Sequence, residues 1–244
     1  MLKKSQNLSK DTKVFITTLR NRKEIILSSN ICEQIIDYFT NNMDAYLISL
    51  EEHIWISLCA LIVAIVIGVP CGYACIKYKK FEKQITSVFQ ILRIIPSLAV
   101  LILLMPIMGT GVKPAMTALI LLAVPPILMN TVSGLNEVPD FMIETAYGVG
   151  MKDGQVLFKV KFPLAMPLIL TGIKIAMIEI IASATLAAKI GAGGLGGIIF
   201  TGLGLNRIDL ILVGGISVAT LSIVAGLLLD LIDRLLLKYK YIRK

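Results

Sequence analysis

Charge is scarce in this sequence: 16% of the residues are Asp, Glu, Lys or Arg against 56% of apolar types, and the mean hydropathy is +0.83. That balance excludes a disordered chain and a soluble enzyme core, both of which need more polar surface. The single histidine, His53, has no second imidazole to join it and lies at the edge of an apolar run, so it reads as an interfacial residue and no metal site is expected. The four cysteines, Cys32, Cys59, Cys71 and Cys75, form no CxxC pair, which leaves them as small hydrophobes rather than redox or zinc groups. No Gx4GK[ST] stretch is present to cradle ATP phosphates, and no HExxH or paired acid/base set argues for a membrane enzyme. The first 30 residues are polar and basic without an apolar core, so no secretory signal is expected there.

What the chain has instead is long uncharged runs: 54–76, 114–136 and 210–229, of 23, 23 and 20 residues. A helix needs about 20 such residues to cross a bilayer. Two further runs, 85–108 with Arg93 and 163–188 with Lys174 and Glu179, are otherwise apolar and long enough. The expectation is an all-α membrane protein with five core transmembrane helices, at about 54–76, 85–108, 114–136, 163–188 and 208–234. Residues 1–30 read as a polar basic tail and 238–244 as a second basic tail. Between 31 and 50, Ile31, Ile35, Tyr38, Phe39, Met43, Tyr46 and Leu50 recur at helical spacing with Glu33, Asp37 and Asp44 between them, the pattern of an amphipathic helix lying along the interface. The transmembrane region is then 51–237, interrupted by a polar loop at 137–162.

The net charge of +8 gathers in short segments beside the spans, where orientation explains it better than nucleic-acid binding. At the span ends, the joint after the first span, the 137–162 loop and the C-terminal end together hold twelve Lys and Arg and the opposite side holds three, Lys113, Lys189 and Arg207; the basic tail counts little because Gln34 to His53, just before the first span, hold no Lys or Arg. By the positive-inside rule the loop and the C-terminus face the cytoplasm of a cell membrane and the N-terminus faces out.

A 26-residue insert is long for a connection between helices, and long structured loops usually carry function. Pro139 and Asp140 form a helix start, Phe141, Glu144, Ala146 and Tyr147 follow in a short amphipathic helix, and Gly148 and Gly150 end it. Glu144-Thr145-Ala146, then three residues and Gly150, then nine residues and Val160-x-Phe162-Pro163, resembles the EAA loop, EAA-x3-G-x9-I-x-LP, of ABC importer permease subunits. Thr145, Val160 and Phe162 depart from that wording by small or apolar swaps. The resemblance implies that the loop is a coupling helix seated in a groove of a separate ATPase, with Glu144, Thr145 and Ala146 on the docking surface. Gly150 would supply the sharp turn and Pro163 would open the next span.

Other segments resemble the permeases of osmoprotectant importers, which carry glycine betaine, carnitine or choline: Glu52-His-Ile, Gly68-Val-Pro70-Cys-Gly72, Ile95-Pro-Ser-Leu-Ala99, Ala123-Val-Pro-Pro-Ile127 with Asn130, Gly172-Ile-Lys174 and Ile190-Gly-Ala-Gly-Gly-Leu-Gly196. Permeases for methionine or another small solute share the fold and are the nearest rival. The resemblance implies two ABC ATPase subunits, which bind ATP-Mg where this chain binds no cofactor, a second permease copy or similar permease, an extracytoplasmic substrate-binding protein, and surrounding lipid.

Within the spans, Pro96, Ser97, Pro125 and Asn130 are candidates for the pathway, because proline frees backbone groups that transporters tolerate only where protein or a cavity receives them. Lys174 and Glu179 are candidates because intramembrane charge is costly, and Arg93 is a possible partner for Glu179. Gly191, Gly193, Gly194 and Gly196 satisfy GxGxxG, yet no strand precedes them as a dinucleotide fold requires, and they read as part of an outer gate.

Overall fold

The computed structural model describes residues 2–236, with side chains from Ile31 onward except Lys79 and Phe81. The basic side chains of 1–30 and all of 238–244, read above as tails, lie outside the described residues. The elements are α1 (Leu2–Lys77), α2 (Lys79–Leu92), α3 (Ser97–Met108), α4 (Val112–Asn136), α5 (Asp140–Gly148), α6 (Asp153–Val156), a π-helical turn (Leu157–Lys161), α7 (Phe162–Ala187), a 3-10 turn (Ala188–Ile190), α8 (Gly196–Leu205) and α9 (Ile208–Leu236). No strand occurs among the described residues, as expected where the apolar medium offers the backbone no partner and each segment must satisfy itself.

Four helices are long and apolar enough to cross a membrane, and a fifth span results if the bent pair α2 and α3 counts as one. The interval 85–108, read as one span, is broken: α2 and α3 meet at 93°. Pro96 causes this, because it has no N–H to donate and its ring pushes Ile95 out of the helical region; Pro96 itself is extended at φ −59, ψ 136. Helix α1 also bends, at Asn42 (φ −130, ψ 24), within the stretch read as interfacial. Beyond that bend the Tyr46 hydroxyl lies 2.9 Å from the Ser217 hydroxyl of α9.

Helix α4 is the axis of the bundle, with 67% of its apolar window buried against 22% for α9. Leu119, Ala123 and Ile127 of α4 share one core with Ile56, Ala60 and Ala64 of α1 and Ala176, Ile180 and Ile181 of α7. Apolar lipid gives helices little hydrophobic reason to associate, so close backbone approach through small residues has to supply the contact. At Gly72 a Cβ would lie 2.7 Å from Thr131 Cβ, and at Gly172 one would lie 2.7 Å from Asn130 Cβ and 2.8 Å from the Pro126 carbonyl oxygen. The outer faces of α1 and α9, with Trp55, Ile216 and Ile223 exposed, are left for lipid.

Gly172→Ala is expected to cost about 1–3 kcal/mol by overpacking the α4–α7 contact, whereas Gly215→Ala, with open space at its Cβ position, should be neutral or slightly stabilising. Thermal unfolding of the two purified variants in detergent checks this, and equal melting would mean that the α4–α7 crossing is not tight.

Candidate functional site

Two places in the fold depart from simple helix packing: the insert between α4 and α7, and the glycine-rich stretch at the far end of α7. The insert is ordered by its own sequence. Pro139 (φ −63, ψ 134) stops α4 from continuing and starts α5, whose first turn closes with the Met142 N–H on the Pro139 carbonyl at 3.0 Å. Gly150 ends the turn after α5 in the left-handed region, φ +81, a conformation that only glycine adopts cheaply. Its N–H reaches the Tyr147 carbonyl at 2.9 Å, and the Met151 N–H reaches the Ala146 carbonyl at 3.1 Å.

Across this turn the Tyr147 hydroxyl donates to Asp153 Oδ1 at 3.0 Å. That bond, helped by the neighbouring negative charge, holds the phenol above its ordinary pKa. Glu144 and Thr145 are exposed, and so are Phe141 and Val149 at 64% and 71%. Ala146, which the resemblance places on a docking surface, is buried within this chain, and α5 packs on α6 and the π-turn. Pro163 lies in the first turn of α7, where a missing N–H costs least, and the π-turn Leu157–Lys161 runs directly into that turn, so the helical stretch Asp153–Ile190 is continuous.

At the other end of α7, Gly191, Gly193 and Gly194 all have φ of 80–85°. The Gly194 N–H donates to Glu52 Oε2 at 2.8 Å, and the Gly111 N–H donates to the Ile190 carbonyl at 2.7 Å. Any Cβ on Gly193 would run into the Glu52 carboxylate, and one on Gly194 would lie 3.0 Å from His53 Nδ1. His53, read as interfacial, is sealed in the bundle at 1% exposure, with Nε2 3.2 Å from the Ile181 carbonyl oxygen and Nδ1 without a partner. The glycines are thus clasped by the start of the first apolar run. The sequence alone marks Glu52 only within a resembling segment and His53 only as interfacial; the signal for the clasp is an acid and the chain's only histidine directly ahead of an uncharged run.

The remaining candidates do not converge. Lys174 pairs with Asp230 of α9, a partner that sequence reading missed because a charge 56 positions away leaves no trace in helical periodicity. Glu179 feels the charge of Arg93, and no ion pair joins them within 4 Å among the described residues. Asn130 turns its side-chain N–H back to the Pro126 carbonyl at 2.8 Å, Pro125 is buried in α4, Pro96 is exposed and Ser97 half-buried at the head of α3. Gly196 is buried where α8 packs on the end of α7. No group of three or more His, Cys, Asp or Glu among the described residues could hold a metal ion.

These helices and the single ordered polar insert define the class as a helical membrane protein. The chain belongs to the family of binding-protein-dependent transport system inner membrane components, which matches residues 56–238. Membership makes it a permease subunit rather than an enzyme and implies an ATPase and a substrate-binding protein as partners. It is 40% identical over 192 residues to the carnitine transport permease protein OpuCB of Listeria monocytogenes, covering 79% of this chain and 88% of that one. It is 38% identical to the choline transport system permease protein OpuBB of Bacillus subtilis, covering 82% and 92%, and 36% identical to the osmoprotectant import permease protein OsmW of Salmonella typhimurium, covering 80% and 93%. Its fold is similar to a chain of the inward-facing MetNI methionine ABC transporter, with TM-score 0.71 and 24% identity over 80% of this chain and 97% of that one.

Replacing Glu52 by Ala removes a charge-assisted acceptor, worth about 1.5–3 kcal/mol. Amide hydrogen exchange across Gly191–Gly196 should then accelerate by about ten- to a hundredfold, while Glu51→Ala, on the neighbouring exposed position, leaves it unchanged. Equal exchange in both variants would show that the clasp does not hold the glycines.

Proposed function

We propose that this chain is the permease of an ATP-driven importer for quaternary-amine osmoprotectants, the class that includes glycine betaine, carnitine and choline. The observation that carries this reading is the EAA-spaced insert folded as a short helix with Glu144 outward, in a chain whose relatives are named for those solutes. On this reading the bundle has five core spans, the bent α2–α3 pair being the second, and α5 is the coupling helix. The docking face is Phe141, Glu144, Thr145 and Val149, with Gly150 and Ala146 shaping the turn behind it and Pro163 in the first turn of α7. Twelve Lys and Arg against three at the span ends, the distant residues 1–30 left aside, support a cytoplasmic insert and C-terminus and an outer N-terminus.

Two ATPase subunits bind ATP-Mg and dock on α5 of this chain and of a second permease, a copy of it or a similar chain. Their closure draws the α5 helices together, a rigid-body switch. Each α7 carries the movement from the insert to the glycines at 191, 193, 194 and 196, which act as the outer gate where an extracytoplasmic binding protein delivers substrate. Pro96, Ser97, Pro125, Asn130, Lys174 and Glu179 are the span residues assigned to shaping or lining the path. The Lys174–Asp230 pair supports a structural role for Lys174, since breaking a poorly solvated pair leaves a charge uncompensated.

Glu144→Arg should lower ATP-driven uptake of radiolabelled glycine betaine by about tenfold or more through like-charge and shape conflict in the groove, with the thermal stability of the purified permease unchanged. Uptake at the wild-type rate would remove the docking role of α5.

A further inference from the structure

Behind α5, on the side facing the bundle, lies a cavity of about 280 Å³ that the transport reading does not use. Its wall combines Tyr73 and Lys77 from the end of α1, Tyr147 from α5, Asp153 from the start of α6 and Lys161 from the π-turn, over the buried side chain of Val156. The Tyr147 hydroxyl, bonded to Asp153, ties the acidic and aromatic groups into one wall. Among the described residues neither lysine has an acidic partner within 4 Å, and the Lys77 ammonium lies over the Tyr78 ring, 6.0 Å from its centroid.

Two tyrosine rings and one carboxylate in the wall suit a quaternary ammonium, which is held by cation–π attraction and charge. Two ammonium groups without an acidic partner among the described residues suit a carboxylate. The volume is at the lower end of small-molecule pockets, which fits a compact ligand. From this arrangement we infer that the cavity binds a small zwitterion bearing both a quaternary ammonium and a carboxylate, and that its occupant restrains α5.

The inference rests on the osmoprotectant reading, and the occupant is the imported class itself, met again on the cytoplasmic side. Because the wall draws on α1, α5, α6 and the π-turn, a bound zwitterion links the insert to the end of the first span. Transport requires α5 to move with the ATPase, so a ligand that favours one position of α5 slows the cycle by its difference in affinity between the two. Accumulated product would thereby restrain further import. A zwitterionic lipid headgroup shares part of this chemistry and is the competing source.

The test uses the permease with its co-purified ATPase in vesicles of phosphatidylglycerol alone, which present no zwitterionic headgroup. Radiolabelled glycine betaine should bind from the cytoplasmic face, choline, which lacks the carboxylate, should compete poorly, and ATP hydrolysis should fall as betaine rises. Tyr73→Leu, which keeps the apolar contact of a half-buried ring packed near Leu135 and Ala165, should weaken binding about tenfold and relieve the inhibition at an unchanged basal rate. Lys161→Met should weaken binding as well. Betaine binding and inhibition that are the same in wild type, Tyr73→Leu and Lys161→Met overturn the site, and displacement of betaine by glycerophosphoethanolamine at lower concentration than by carnitine assigns it to lipid and overturns the feedback. Retained cavity binding in a complex that does not import betaine would sink the importer reading and leave the site standing; import without variant-sensitive inhibition would do the reverse.

Discussion

In hydrocarbon a backbone N–H or C=O without a partner costs several kcal/mol, and the departures from helix in this chain are arranged around that cost. Where the chain turns between α3 and α4, the Gly111 N–H is taken up by the Ile190 carbonyl at the end of α7. Where it turns after α7, the Gly194 N–H is taken up by Glu52. These two turns therefore complete each other and the start of the first apolar run. Three segments far apart in sequence meet at one end of the bundle because each supplies a group that another lacks. The opposite end holds the insert, whose turns are satisfied locally by Tyr147, Ala146 and Gln155, and that self-sufficiency is what allows α5 to project as a unit.

Between the two ends the bundle is organised by how near α4 lets its neighbours come. Gly72 of α1 and Gly172 of α7 both press on the second half of α4, against Thr131 and against Asn130 and Pro126. Proline makes this approach possible as well as costly. Pro126 has no N–H of its own, and its carbonyl accepts from the Asn130 side chain while forming the surface against which Gly172 packs. A helix that is buried on most sides can carry two adjacent prolines, whereas α9, largely exposed to lipid, carries none.

The parts of this architecture that could be read in the sequence are those written in local composition. Uncharged runs marked the long helices, and Pro139, Gly148 and Gly150 marked the limits of α5, because capping and left-handed turns depend on residues within a few positions. The break at Pro96 was visible as a proline, but its 93° angle depends on what α2 and α3 each pack against. Asp230 as the partner of Lys174 and the burial of His53 and of Ala146 were out of reach for the same reason. Helical periodicity says which residues share a face and not which helix that face meets. The glycines at 191–196 were legible as a special segment, yet their clasp required Glu52, 142 positions from Gly194.

One continuous helical stretch, Asp153–Ile190, joins the insert to the glycine clasp. At 38 residues and about 1.5 Å per residue it spans about 57 Å, more than the roughly 30 Å hydrocarbon core. Its two ends are built differently. The insert end contains a π-turn, a widened segment where helices commonly deform, and the far end is fixed by hydrogen bonds to Glu52 and Gly111. A displacement applied at α5 is therefore transmitted by a helix held tightly to α4 near its middle, at Gly172, and released at its end only if the Glu52 carboxylate lets go of Gly194. That places the resistance to movement at the clasp and the compliance at the π-turn, so on the proposed coupling role of α5 a change of shape at the insert would reach the glycines as a tilt of α7 about its contact with α4.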